Sequence, residues 1–263
     1  MFESFFEMRA TPFSRDIPTA DLYESNQLEE IIGRLNYAAD RQLFAVMTGE
    51  CGLGKTTAIR RFTDQLDSSR YKLLYLSDSK LTPRHFYKGM LEQLGLESKF
   101  YRGDAKRQLH REIELMKGIH KLTPVCVVDE AHLLDLEEVR FLLNFRMDAQ
   151  SPMALIMVGQ TELWDRLQLQ SFAAIRQRID IQFRLHHLDR AETEQYMIKH
   201  LAYAGVGRDI FSESAIDEVF SYSSGASRLI NKLATHCLLF AAQNGNRIID
   251  DRMVKKVIEG ELA

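Results

Sequence analysis

No run of about 18 apolar residues occurs anywhere in the 263-residue chain, so no membrane-spanning helix is expected. The opening Met1-Phe2-Glu3-Ser4-Phe5-Phe6-Glu7 lacks both the basic start and the long apolar core of a secretory signal. Cysteine is scarce: Cys51, Cys126 and Cys237 are the three present, far apart and without a C-x-x-C pair. That argues against a disulfide framework or a zinc site and suits a reducing compartment, so a cytoplasmic location is expected. Charge of one sign is missing as well. With 34 Lys and Arg against 37 Asp and Glu the net charge is −3, so any basic surface must be local. There are no internal repeats and no low-complexity tails. What remains is an ordinary globular composition, 45% hydrophobic and 27% charged, long enough for one large or two modest domains.

The rest of the chain is organised around Gly49-Glu50-Cys51-Gly52-Leu53-Gly54-Lys55-Thr56-Thr57. An apolar run, Leu43 to Met47, precedes it, and a helical pattern, Ala58-Ile59-Arg60-Arg61-Phe62, follows. Strand, G-x-x-x-x-G-K-[ST] loop and helix form the context of a phosphate-binding loop. Glycines let backbone N–H groups turn inward around phosphates, and the helix N-terminus adds partial positive charge. Lys55 is expected to reach the β- and γ-phosphates of ATP, and the Thr56 hydroxyl to bind Mg²⁺. Cys51 is read as a small residue of this loop.

A second element supports the first. Val125-Cys126-Val127-Val128 is a near-continuous apolar strand ending in Asp129-Glu130. In P-loop enzymes an acid at this strand end holds Mg²⁺, here Asp129, and the next carboxylate, Glu130, takes a proton from the attacking water.

Periodicity orders the remainder. Leu22, Leu28, Ile31, Ile32 and Leu35 recur at helical spacing in residues 1–42, a segment that either folds over the nucleotide base or covers the sheet. Lys72 to Leu76 is a short strand; Thr82-Pro83 caps a helix with Phe86, Met90 and Leu94 on its buried face. Asp135 with Glu138 resembles a capping box for a helix running to Met147. Ala154 to Val158 is a buried strand, and Ile179 to Leu185 alternates as a half-exposed one. Strands separated by helices give a doubly wound parallel α/β layer over residues 43–187. Residues 188–263 contain four helical patterns and no strand, which predicts a small all-helical domain.

The chain resembles an AAA+ P-loop NTPase, and within that superfamily the ExeA/TniB/IstB/TnsC group, relatives of replication initiator ATPases. Phe5-Phe6…Pro12-Phe13, Tyr23-Glu24-Ser25, the phosphate loop, Asp129-Glu130-Ala131-His132-Leu133-Leu134 and Gly159-Gln160-Thr161-Glu162-Leu163 carry the resemblance, which extends over essentially the whole chain. It implies that the helical domain is a lid. Gln160 matches sensor 1, with Thr161 as the rival. Arg178 sits where these proteins place an arginine finger that reaches a neighbour's γ-phosphate, with Arg176 as the rival. Arg228 matches sensor 2. A finger acting in trans implies that a free monomer binds ATP but hydrolyses it slowly.

Asp-Glu-Ala-His also names a helicase class, but such helicases carry two motor domains and this chain has room for one. The resemblance implies a DNA-transposition regulator: an ATP-dependent homo-oligomer, ring or filament, that binds double-stranded DNA and recruits a transposase. The alternative is a secretion-assembly ATPase of the ExeA type. Those proteins continue into a membrane span and a peptidoglycan-binding domain, which this sequence does not show, and on that ground the transposition reading is the expected one. A third reading is a nucleotide-gated switch with little hydrolysis, against which Glu130 argues. Lys80, with Arg84 and Lys88 beyond it, and the stretch Lys99 to Arg111, where Phe100 and Tyr101 interleave with basic residues, are the local basic features. Lys80, Lys99 and Arg102 are expected to track DNA phosphates, contacts that position a protein without reading sequence. Lys106, Arg107 and Arg111 are read as a solvated face.

Overall fold

A computed structural model describes residues 2–77, 82–143 and 151–262, Phe141 by its backbone alone. In chain order the elements are α1 (Phe2–Phe6), α2 (Asn26–Arg41), β1 (Phe44–Thr48), α3 (Lys55–Gln65), β2 (Tyr71–Leu76), α4 (Pro83–Gln93) and α5 (Arg102–Leu115). Then come β3 (Thr123–Val128), α6 (Leu136–Leu143), β4 (Ala154–Gly159), α7 (Thr161–Gln168), α8 (Ala173–Arg176) and β5 (Ile181–Arg184). Four helices follow: α9 (Arg190–Tyr203), α10 (Glu213–Ser223), α11 (Ser227–Gln243) and α12 (Asp251–Val257). The chain folds as two units, residues 27–51 with 55–185 and residues 2–26 with 52–54 and 186–262. This division differs from the boundaries read at 42/43 and 187/188, because residues 27–42 go with the sheet and residues 2–26 go with the C-terminal helices.

In the first unit the five strands form one parallel sheet in the order β2-β3-β4-β1-β5. Strands β1 and β4 are buried along their whole length and β3 beyond its first residue. Continuous apolar strands require helices on both faces, and the sequence supplies them. Edge strand β5 alternates as read, with Phe183 buried and Gln182 and Arg184 exposed. Because every strand runs the same way, the segments after β1, β3 and β4 all emerge at one end of the sheet. In open α/β sheets that end is where ligands bind.

The Thr82 side chain accepts from the His85 N–H, the expected cap, with Pro83 at the first helical position. The helix expected from Leu22 starts later, at Asn26. The capping box expected at Asp135 is only half formed. Asp135 Oδ1 accepts from the Glu137 N–H at 3.1 Å, while the Glu138 side chain turns inward, buried against the Tyr87 hydroxyl and the Arg102 guanidinium. A buried carboxylate needs partners more than a helix end needs a second cap.

The second unit has its own core. Phe2, Phe6 and Phe13 pack with Leu201, Val219, Ile230, Leu233, Leu238 and Val254. A full capping box opens α9, with Asp189 and Glu192 each bonding the other's backbone. Ser212 and Asp250 cap α10 and α12. Phe211 and Ile249 form an isolated β-bridge, and the described residues of this unit contain no strand. Among the described residues no helix is long and apolar enough to cross a membrane.

Candidate functional site

The phosphate loop follows β1 as expected. Gly49, Glu50 and Cys51 leave the strand, Gly52, Leu53 and Gly54 group with the helical unit, and Lys55, Thr56 and Thr57 open α3. Gly52 and Gly54 adopt φ of 88° and 93°, the left-handed region that side chains resist. A Cβ on Gly52 would also stand 2.9 Å from Arg228 Cβ, so glycine is required there twice over. Lys55 is buried, and its ammonium donates to the carbonyls of Gly49 and Glu50, each at 2.8 Å.

From β3, Asp129 projects into the same region and is 4% exposed. Its Oδ2 accepts from Thr56 Oγ1 at 3.1 Å and from the Tyr75 hydroxyl at 3.0 Å, while its Oδ1 accepts from the Glu130 N–H at 2.9 Å. The Tyr75 phenol is pushed up to about 12, first by burial and then by the Asp129 carboxylate, so it stays a donor. Thr56 in the first turn of α3 and Asp129 at the end of β3 thus bring a hydroxyl and a carboxylate oxygen together. Hard oxygen donors with a single carboxylate suit Mg²⁺, which takes the rest of its shell from phosphate and water.

Glu130 holds a left-handed backbone at φ 51° without being glycine. Strain of this kind persists only where the surroundings over-determine it, and it clusters at functional sites. One turn on, His132 Nδ1 lies 3.5 Å from Glu130 Oε2 and 3.4 Å from the Gln160 backbone N. Gln160 caps α7 directly after β4. Its rival Thr161 turns its hydroxyl toward the Glu162 carboxylate at 3.5 Å. Arg166 of α7 donates to the carbonyls of His132 and Leu134 and staples this corner.

Arg178 lies at the other end of the sheet. Ala45 of β1 pairs with Ile181 of β5, so Arg178 precedes the start of β5 beside the start of β1. It lines a small cavity with Leu43, Phe44, Met153 and Asp180. The five residues of β1, about 16 Å at roughly 3.3 Å per residue, separate that cavity from the phosphate loop. Arg176 is committed elsewhere: its guanidinium donates to the carbonyls of Leu167 and Gln168 at the end of α7. In the helical unit, the Arg228 N–H and the Ser227 hydroxyl both donate to the Gly52 carbonyl, at 3.1 and 2.8 Å.

Of the residues read as DNA contacts, Lys80 lies outside the described residues. Lys99 is exposed. Arg102 pairs with the buried Glu138 and so serves the fold of its own unit. Beside Lys99, Phe100 and Tyr101 are 67% and 71% exposed and stack edge to face, with the Arg84 guanidinium 4.2 Å over the Phe100 ring. Tyr75, His132 and Arg166 escaped the sequence reading as site residues. Tyr75 read as one more position of a short strand. A tyrosine in a strand, even one only half-buried, needs a partner for its hydroxyl, and that was the available signal.

Residues 38–167 match the family described as AAA domain. Across its whole length the chain is 29% identical to General secretion pathway protein A of Aeromonas hydrophila, of which it spans about half, 47%. Its fold is similar to that of Drosophila ORC bound to DNA, at TM-score 0.66 and 16% identity over 100% of this chain and 65% of that one. The Aeropyrum pernix ORC1 protein in complex with DNA is similar at TM-score 0.71 and 14% identity, over 94% of this chain and 68% of that one. The Thermotoga maritima RuvB Holliday junction branch migration motor follows at 0.57 and 19%, over 88% and 68%. The parallel α/β fold expected from the sequence is therefore one that the chain shares with these ORC structures, and residues 38–167 match the AAA domain model.

Proposed function

We propose that the chain binds Mg·ATP at the shared end of β1, β3 and β4 and hydrolyses it. The observation that carries this reading is the meeting of Thr56 Oγ1 with Asp129 Oδ2 at 3.1 Å, beside an ammonium already capping the loop carbonyls. Backbone N–H groups of residues 49–57 cradle the phosphates, and Lys55 exchanges the Gly49 and Glu50 carbonyls for β- and γ-oxygens. Thr56 and Asp129 would hold Mg²⁺, which when bound would supply positive charge beside the phosphates. Glu130 accepts the proton of the attacking water. Gln160 orients that water, and Arg228, tied to Gly52, is the second sensor. Arg178 stands too far from its own phosphate loop to serve it, which supports a finger acting on a second copy. Hydrolysis then depends on self-assembly into a ring or helical filament.

The assembly works on duplex DNA and regulates transposition by recruiting a transposase. Support comes from the local surface of Arg84, Lys99, Phe100 and Tyr101, basic and aromatic in a chain of net charge −3. The 29% identity to General secretion pathway protein A favours a second reading, an ATPase that assembles a secretion apparatus. Electron microscopy with ATP, with and without duplex DNA, separates them. Rings or filaments that need both support the DNA reading, and ATP-dependent assemblies indifferent to DNA support the secretion reading. Protein that binds no ATP under any of these conditions sinks the nucleotide site itself.

A further inference from the structure

The ends of β3 and β4 share one atom. His132 Nδ1 is 3.5 Å from Glu130 Oε2 and 3.4 Å from the Gln160 N, and the ring is largely buried, at 13% exposure. The two partners make opposite demands. A backbone N–H needs a lone pair at Nδ1, whereas a carboxylate needs an N–H there. One ring nitrogen carries either the lone pair or the proton, so it serves one partner at a time.

The backbone around the ring is pinned. Arg166 bonds the carbonyls of His132 and Leu134. Gly159 approaches so closely that a Cβ on it would lie 3.1 Å from the His132 N and 2.9 Å from Leu163 Cδ2. As the residue capping α7, Gln160 has an N–H that the helix itself leaves without an acceptor. The choice between partners therefore falls to the imidazole, by tautomer and small ring rotation, rather than to the loop.

We infer that His132 is a positioning residue that couples the strand end bearing Gln160 to Glu130. With the proton on Nε2, Nδ1 accepts from the Gln160 N–H and the ring no longer donates to the carboxylate of Glu130, the base. With the proton on Nδ1, the ring donates to Glu130, holds the carboxylate, and leaves the Gln160 N–H without its acceptor. The change moves one proton from Nε2 to Nδ1 through solvent and leaves the net charge of the ring unaltered. A shift at Gln160 when a γ-phosphate arrives or departs is thereby passed to the base. This inference rests on Glu130 being the base of the proposed hydrolysis, but the contact itself is tested without hydrolysis.

The experiment is a cycle of His132→Ala, Glu130→Ala and the double variant, read by amide hydrogen exchange at Gln160 in nucleotide-free protein. His132→Ala speeds that exchange about tenfold, the worth of one hydrogen bond. Glu130→Ala slows it, because Nδ1 then serves Gln160 alone, and the slowing vanishes in the double variant. His132→Asn, which places an acceptor oxygen near the Nδ1 position, restores protection. In steady-state ATPase assays His132→Ala lowers kcat roughly 10- to 100-fold with nucleotide affinity unchanged, and adds no loss in a Glu130→Gln background. A Gln160 amide indifferent to Glu130→Ala, or a slowing that survives in the double variant, overturns the coupling. So does a His132→Ala kcat within twofold of an active wild type. Wild-type protein that turns over no ATP counts against the proposed function, and the exchange cycle still decides the coupling.

Discussion

The Tyr75 hydroxyl of β2 donates to Asp129 Oδ2 at 3.0 Å, so the acid at the end of β3 is oriented by the strand beside it. The Glu130 N–H holds Oδ1 and Thr56 bonds Oδ2; the phenol adds a second donor to Oδ2 and so fixes which of its lone pairs faces the loop. Tyr75→Phe keeps the ring and removes the donor. The expected result is a roughly tenfold rise in the Mg²⁺ concentration needed for half-maximal nucleotide binding, with Mg-free nucleotide binding unchanged. Titration of Mg²⁺ against a fluorescent ATP analogue measures it. An unchanged Mg²⁺ midpoint would remove Tyr75 from the site.

Lys55→Ala abolishes nucleotide binding, because the ammonium is the single side-chain cation within the loop and a phosphate tail carries several negative charges. Glu130→Gln keeps binding but stops turnover and so accumulates the ATP-bound assembly. Calorimetry and phosphate release distinguish the two. Equal nucleotide affinity in wild type and Lys55→Ala would refute the loop assignment.

Arg178→Ala protein binds ATP normally and hydrolyses it poorly. A trans-acting arginine contributes about 10³–10⁵ in rate in GTPase systems, so the loss should be large. Mixing it with Lys55→Ala protein restores part of the activity, since an intact phosphate loop then meets an intact arginine at some contacts. Mixed oligomers that form yet stay inactive at every ratio would leave the finger without support. Arg176→Ala instead removes the bonds to the Leu167 and Gln168 carbonyls and lowers stability rather than turnover.

How much of this was legible in the sequence depends on how local each signal is. The phosphate loop, β1, β3 and the Asp129-Glu130 pair were readable because glycine spacing, a lysine and an apolar run lie within a few residues of one another. The all-parallel sheet followed from strands apolar on both faces. Contacts made across strands were not readable. Nothing in Tyr75 announces Asp129, which lies 54 positions away in the chain. Nor does His132 announce Gln160, reached only because β3 and β4 are neighbours in the sheet. Glu138 shows the converse error. Its position three residues after Asp135 fits a capping box, yet Tyr87 and Arg102 draw it inward.

That burial separates two residues which the sequence treated alike. Arg102→Ala leaves the Glu138 carboxylate, 1% exposed, with the Tyr87 hydroxyl and without its cation. A loss of about 1–3 kcal/mol in stability is expected, the cost of an under-satisfied buried charge discounted for a half-exposed partner. Lys99→Ala touches no such pair and leaves the melting temperature unchanged. If duplex DNA binds at this surface, Lys99→Ala weakens it on all sequences alike and lowers the salt slope by about one unit per contact. Identical affinity and slope in Lys99→Ala would move the DNA elsewhere.

The last prediction concerns His200 of α9. The ring is 2% exposed, stacked on Phe13 at 5.5 Å between centroids and tilted against Tyr196 at 4.1 Å, with neither nitrogen hydrogen-bonded. Burial, helped by the neighbouring Lys199 charge, pulls its pKa down from 6.5 to about 4. The sign follows directly. Between those values the unfolded chain binds a proton that the folded chain refuses, so stability falls as pH falls from about 6.5 and the loss levels off below about 4. At pH 5 this amounts to about 2 kcal/mol relative to neutral pH. Denaturant unfolding of the wild type at pH 7 and pH 5 gives the size of the drop, and His200→Phe tests its cause. The phenylalanine preserves the aromatic stack with Phe13 and cannot take up the proton, so most of the difference between the two pH values should disappear. An undiminished difference in His200→Phe would assign the acid sensitivity to other groups.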